Sequence, residues 1–159
     1  MMSDNARKVR VSLTEDHAVD ENVRSSLQSY ISRLTVPQKV EMTSKGNREV
    51  RLILSRDPSS VVARALVISP RISETDVIAY AGSAQTNEDV LRGIAENREW
   101  SKSLRVKVLL VSNPRTPPAV ALRFLGHLSV SDLSILARNR NVSMIIRREA
   151  NRRVIQTRK

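Results

Sequence analysis

Asn87 to Pro114 reads NEDVLRGIAENREWSKSLRVKVLLVSNP, two apolar segments joined by a short polar turn. The same layout, with the same residue types at matching places, occurs once before it and once after it. Val50, Val90 and Leu133 each follow an acid: Glu49, Asp89 and Asp132. Apolar turns come next, and then Asp57, Asn97 or Asn139. Ser60, Ser103 and Ser143 each precede an apolar residue, Val61, Leu104 or Met144, and three places further stands a base, Arg64, Lys107 or Arg147. The serines lie 43 and 40 residues apart. A period near 40 belongs to helical solenoids with two or three helices per repeat.

Working outward, three units can be overlaid: 35–70, 72–114 and 116–153. Capping signals argue for three helices in each. Thr35-x-x-Gln38, Ser73-x-x-Asp76, Thr86-x-x-Asp89 and Ser129-x-x-Asp132 have capping-box spacing. Thr116-Pro117 sets a cap before a proline tolerated in a first turn. Gly46 before Asn47 reads as one helix stopping and another starting, and Pro58, Pro70 and Pro114 fall between helices. The expected helices lie near 36–45, 47–56, 59–68, 74–83, 87–96, 101–112, 117–127, 130–138 and 141–155.

An α/β reading competes. ARALVIS and RVKVLLVSN are rich in β-branched residues and could each be a buried strand. The third copy of that position decides against it, because Met144-Ile145-Ile146-Arg147-Arg148-Glu149-Ala150 makes a poor strand and a fair helix. Equivalent places in a repeat share a structure.

Ahead of the repeats, Val19, Val23, Leu27, Tyr30, Ile31 and Leu34 form one apolar stripe, predicting a capping helix over 14–34. Thr14 is its expected cap, with Glu15 and Asp16 where the helix dipole favours negative charge. Residues 1–13, with alternating Lys8-Val9-Arg10-Val11, are expected to be a flexible tail.

Asn113-Pro114-Arg115-Thr116-Pro117, followed by an apolar helix and a second short helix ending Ala137-Arg138-Asn139, resembles HEAT/armadillo-type repeats. It is most similar to their bacterial leucine-rich-repeat-variant relatives, over about Thr35 to Arg153. The resemblance implies a right-handed α-solenoid, all-α, of about three three-helix repeats. It implies a binding surface whose motif residues are structural, so no catalytic residue transfers.

The totals agree with that class. At 159 residues the chain is large enough for one core, and 40% of it is apolar. The apolar residues are aliphatic, with one Phe, one Trp and two Tyr. Cysteine is absent, which excludes disulfides, thiolate metal sites and a cysteine nucleophile. No apolar run is long enough to span a membrane, and the N-terminal residues lack a signal-peptide core, so a cytoplasmic protein is expected. His17 and His127 have no second histidine at ligand spacing, the four glycines make no phosphate loop, and no serine sits in a nucleophile elbow. Neither a metal, a cofactor nor an enzymatic activity is expected.

Charge is the remaining signal. The net +11 arises wholly after Asn97: 13 bases balance 13 acids before Arg98, and 14 bases face three acids after it. Such asymmetry attracts anions over a distance. Arg64, Lys107 and Arg147, flanked by Arg105 and Arg148, would stack as a ladder in a solenoid. The second cluster is the C-terminal helix, with Arg147, Arg148, Arg152 and Arg153 around an apolar stripe of Val142, Ile146, Ala150 and Val154. Either set can be an anion-binding face or a solvated one. Trp100 is the one candidate aromatic anchor, with inter-helix packing as the alternative. Two functions follow as expectations: an adaptor binding another, acidic protein, or a sequence-nonspecific nucleic-acid binder using the basic C-terminal half. The scarcity of aromatics among the bases disfavours stacking on single strands.

Overall fold

The computed structural model describes residues 13–16 and 20–159. Residues 1–12 of the tail expected over 1–13, and His17 and Val19, lie outside the described residues; the last residue of that stretch, Leu13, is buried in the core and so is not part of a free tail. Among the described residues every regular element is a helix, and none is a strand. ARALVIS and RVKVLLVSN therefore build helices, as the third copy requires.

The chain runs α1 (Glu21–Ser32), α2 (Val36–Lys45), α3 (Arg48–Leu54), α4 (Ser60–Val67), α5 (Glu74–Gly82), α6 (Glu88–Glu96) and the one-turn α7 (Arg98–Ser101). It continues with α8 (Leu104–Ser112), α9 (Pro118–Phe124) with a 3-10 turn at Leu125–His127, α10 (Val130–Arg138) and α11 (Met144–Thr157). Most are shorter than the roughly 12–15 residues at which an isolated helix becomes even marginal in water. Their starts are accordingly secured by side chains. Asp20, Asn47, Ser59, Asn87, Asn97, Ser103, Ser129 and Ser143 each accept a first-turn backbone N–H. Gln38 reaches back to accept the Thr35 N–H at 2.9 Å, and Asp76 accepts the Ser73 N–H at 3.0 Å.

Several starts differ from the sequence reading, each for a local reason. Asp20 caps α1, not Thr14, because its carboxylate accepts the Val23 N–H at 2.8 Å. Asn87 replaces Thr86 as the cap of α6; Thr86 is buried and donates its hydroxyl to the Tyr80 carbonyl at 2.7 Å. Ser59, not Ser60, caps α4. The helix expected over 101–112 is interrupted at Ser103, which caps a fresh helix, leaving α7 as a separate turn.

The described chain forms two compact units, one up to Asp76 and one from Val77. In the first, Leu13, Leu27, Ile31, Val50, Leu54 and Val62 make a buried cluster. Beside it runs a polar seam. Arg51 is buried; it donates to the Gly46 carbonyl at 2.9 Å and to Asp76 at 3.1 Å, and Arg48 approaches the other Asp76 oxygen at 3.3 Å. Arg51 thus ties α3 both to the end of α2 and to the first turn of α5. Lys39 pairs with half-enclosed Asp57 at 2.6 Å, joining α2 to the turn after α3.

In the second unit α6 buries Val90, Leu91, Ile94 and Ala95, one face of an amphipathic helix. α8 buries Val106, Leu110 and Val111, and α10 buries Leu133 and Leu136. α11 packs chiefly on α10 and also meets α9, burying Ile146, Ala150 and Val154. That is the stripe expected of it.

Breaking a buried ion pair leaves an unpaired charge, a loss of about 3–5 kcal/mol, whereas an exposed pair contributes about 0–1 kcal/mol. Arg51→Met should therefore lower unfolding stability in urea by about 3 kcal/mol. Lys45→Met, which removes the exposed i,i+4 pair with Glu41, should change it by less than about 1 kcal/mol. Equal losses from the two variants would refute the structural weight given to Arg51.

Candidate anion- and partner-binding face

The candidate residues sit on a local frame that recurs. Asp57, Asn97 and Asn139 each accept the backbone N–H two residues on, a side-chain turn that ends α3, α6 and α10 in the same way. Ser59, Ser103 and Ser143 then cap α4, α8 and α11 by accepting the N–H of Val62, Val106 and Ile146. Those three residues are buried, and so are Leu66, Leu110 and Ala150 one turn further. α7, with Trp100, is an insertion between the second of these turns and its cap. Trp100 is half-buried.

This frame changes the basic ladder. Counted from the capping serines, Lys107 and Arg147 are equivalent, but their counterpart in α4 is Ala63, which is fully buried. Arg64 stands one place later, exposed, in register with Val108 and Arg148. The repeated serine was legible in the sequence, but two adjacent serines, Ser59 and Ser60, left its register open by one residue. Arg64 also belongs to the first compact unit and the other candidates to the second.

Within the second unit, Lys+Arg outnumber Asp+Glu by 15 to 6. Arg105 and Arg148 are exposed, and Lys107 and Arg147 are half-buried. The Arg147 Nε is enclosed and finds no hydrogen-bond partner among the described residues. Arg152 and Arg153 converge on Glu149. Arg152 donates to its two oxygens at 2.6 and 2.8 Å, and Arg153 donates at 2.9 Å. A side chain added at Gly126 would lie 3.4 Å from the Arg153 guanidinium, which thus rests across the 3-10 turn. The hydrogen bonds from Arg152 and then Arg153 hold the Glu149 carboxyl down at about 2, against the opposing effect of partial burial. Arg152 is in turn raised by Glu149. Half of the C-terminal basic cluster is therefore engaged in holding α11 together, and Arg148 is left pointing outward with no ion pair among the described residues.

The face of α11 that carries Arg148 is not wholly basic. Met144, Ile145 and Ile155 are 64%, 56% and 51% exposed on it. These aliphatics were missed in the sequence, where attention to the buried stripe left the remainder of the helix to its arginines. The signal was present in their phase: they fall opposite Ile146, Ala150 and Val154 at 3.6 residues per turn.

A groove of about 540 Å3 lies elsewhere in this unit, between Ala81, Gly82, Leu109, Ser112, Asn113 and Asn139. Its lining is small and uncharged and includes none of the candidate residues. Asn113, in the Asn-Pro-Arg-Thr-Pro motif, is fully committed to structure. It donates to the Ala81 and Ser83 carbonyls at 2.7 and 2.9 Å and accepts the Arg115 N–H at 2.9 Å. Ser69 plays the matching part in the first unit, donating to the Thr43 carbonyl at 2.8 Å and accepting the Arg71 N–H at 3.3 Å. Among the described residues no cluster of three His, Cys, Asp or Glu could hold a metal ion, and no helix is long and apolar enough to cross a membrane.

Comparison with known proteins finds no match: no protein-family model, no curated protein and no solved structure matches this chain.

Asn113→Ala should cost about 2 kcal/mol, since it strands buried carbonyls as well as opening the turn. Ser103→Ala and Ser143→Ala should each cost about 1 kcal/mol. Denaturant melts of the three variants check the order. The Glu149 interaction has a pH signature. Its folded value is depressed from 4.5 to about 2, so its contribution is complete above about 4.5 and fades as pH falls toward 2. Carbon-detected NMR titration should place the carboxyl near 2 in the native chain and shift it upward in Arg152→Gln. An unchanged titration in that variant would show that Arg152 does not hold the carboxylate.

Proposed function

We propose that this chain is a non-enzymatic adaptor: a right-handed α-solenoid of about three three-helix repeats, of HEAT/armadillo type with the pattern of bacterial leucine-rich-repeat variants, that binds another protein. The observation that carries this reading is a constant frame with a variable surface. The capping serines and the buried places after them recur in α4, α8 and α11. The outward places beside them do not: Ser60, Leu104 and Met144 share one place, and Val61, Arg105 and Ile145 the next. Repeats that keep their packing while varying their surface are how such arrays make extended binding faces. The enclosed carboxylates support the same reading, because each is engaged by bases in a structural role: Asp76 by Arg51 and Arg48 and Asp57 by Lys39, which link elements, and Glu149 by Arg152 and Arg153 within α11.

A second reading is sequence-nonspecific nucleic-acid binding through Arg105, Lys107, Arg147, Arg148, Arg152 and Arg153. The excess of bases in the second unit favours it. Contacts of this kind go to phosphate, and on duplex DNA each one adds about −0.9 to the slope of log K against log salt.

Affinity purification of the full chain, with and without nuclease, separates the two. An adaptor retains the same stoichiometric protein partner after nuclease treatment; a nucleic-acid binder loses what it captured. In a gel shift with duplex DNA, charge reversal at Arg147, Arg148, Arg152 and Arg153 should abolish binding on the second reading. Binding indifferent to that change removes it.

A further inference from the structure

Met144, Arg148, Arg152 and Ile155 follow one another along α11 at four, four and three residues, so they form a single outward stripe, with Ile145 beside it. At 1.5 Å per residue the stripe is about 16 Å long. Its ends are aliphatic and its middle is basic. Resting on the adaptor reading above, we propose that this stripe docks an acidic amphipathic helix of a partner protein. That helix would place a carboxylate opposite Arg148, the unpaired base of the stripe, and an aliphatic side chain near each end.

Three observations select that occupant. The face is not an ordinary solvated one. α1, the other long helix, exposes Ser25, Ser26, Gln28 and Ser29 with one large apolar side chain, Tyr30, whereas α11 exposes three large aliphatics. The charge is unmet: Arg148 forms no ion pair among the described residues, and the single acid beside the stripe, Glu149, already holds Arg152 and Arg153. A carboxylate is the natural complement, and a guanidinium can engage it through two parallel hydrogen bonds. A second copy meeting this face through two-fold symmetry would set Arg148 and Arg152 against their own kind. The arrangement also disfavours a bilayer. An interfacial helix keeps its charges opposite its apolar side chains, while here the opposite face is buried in the protein and the arginines lie between the aliphatics. Duplex nucleic acid offers nothing for Met144, Ile145 and Ile155 to cover.

The test is a display library of helix-forming peptides as long as α11, 14 residues, panned against the full chain, with phosphatidylserine vesicles and duplex DNA assayed in parallel. Enriched peptides are expected to carry an acid between two aliphatics at three- and four-residue spacing. Their affinity, read by fluorescence anisotropy, should fall about tenfold or more for Arg148→Glu and for Ile155→Ser, about 1.4 kcal/mol. Exchanging the matching peptide acid for lysine should recover binding to Arg148→Glu, a result that misfolding of the variant cannot produce. Enriched peptides that bind both variants as well as the native chain overturn the docking face and leave the adaptor reading standing. No enrichment overturns the face, and if DNA or vesicles are retained instead, the adaptor reading falls with it.

Discussion

Every α-helix begins with about four backbone N–H groups that have no partner in the helix itself. In helices of seven to nine residues, such as α3, α4, α6 and α8, that is about half of the donors. This chain is built from such helices, and the constraint governs most of its polar residues. Asparagines, serines and one aspartate stand at the starts, and asparagines or an aspartate turn the chain after α3, α6 and α10. Only with those ends satisfied can the aliphatic faces pack without leaving buried donors unpaired.

The same economy shapes the charges. Inside the first unit, Arg51 joins α3 to the end of α2 and, through one buried pair with Asp76, to the start of α5. In the second unit, Glu149 gathers two arginines along a single turn of α11. Charges so engaged fix local geometry and contribute little attraction to a partner. A large positive net charge therefore overstates the binding surface. What remains outward on α11, Arg148 set among Met144, Ile145 and Ile155, is smaller and more selective than a basic helix. It asks for a carboxylate in a particular place and for apolar cover beside it.

Three stretches of the chain share one local frame, the side-chain turn and serine cap that lead into α4, α8 and α11. Serine caps, side-chain turns and buried places that recur identify the parts fixed by packing, and outward places that change identify the parts free to be selected for binding. Ser69 and Asn113 illustrate the value of this comparison: their residue types differ, yet both donate to a carbonyl near the end of an earlier helix and accept the N–H two residues on.

The all-helical class, the succession of helices from α2 to α11 except the one-turn α7, and the buried stripe of the last one follow from the sequence alone. They rest on local rules: periodicity of aliphatic residues, capping residue types, and the places where proline and glycine interrupt. Register and occupancy do not rest on local rules. Ser59 and Ser60 are equally good caps in a linear reading, and only the burial of Val62 and Leu66 selects the first. Thr14 and Thr86 are good capping residue types in a linear reading, and the fold gives those roles to Asp20 and Asn87. The charge of the C-terminal helix was plain, but whether an arginine faces outward or closes on Glu149 depends on which side chains lie within about 3 Å of it. Three- and four-residue spacing along α11 is enough to bring Arg152 and Arg153 to Glu149; which face of the helix stays outward, with Arg148 on it, is decided by the helices that bury Ile146, Ala150 and Val154, and no local rule contains that.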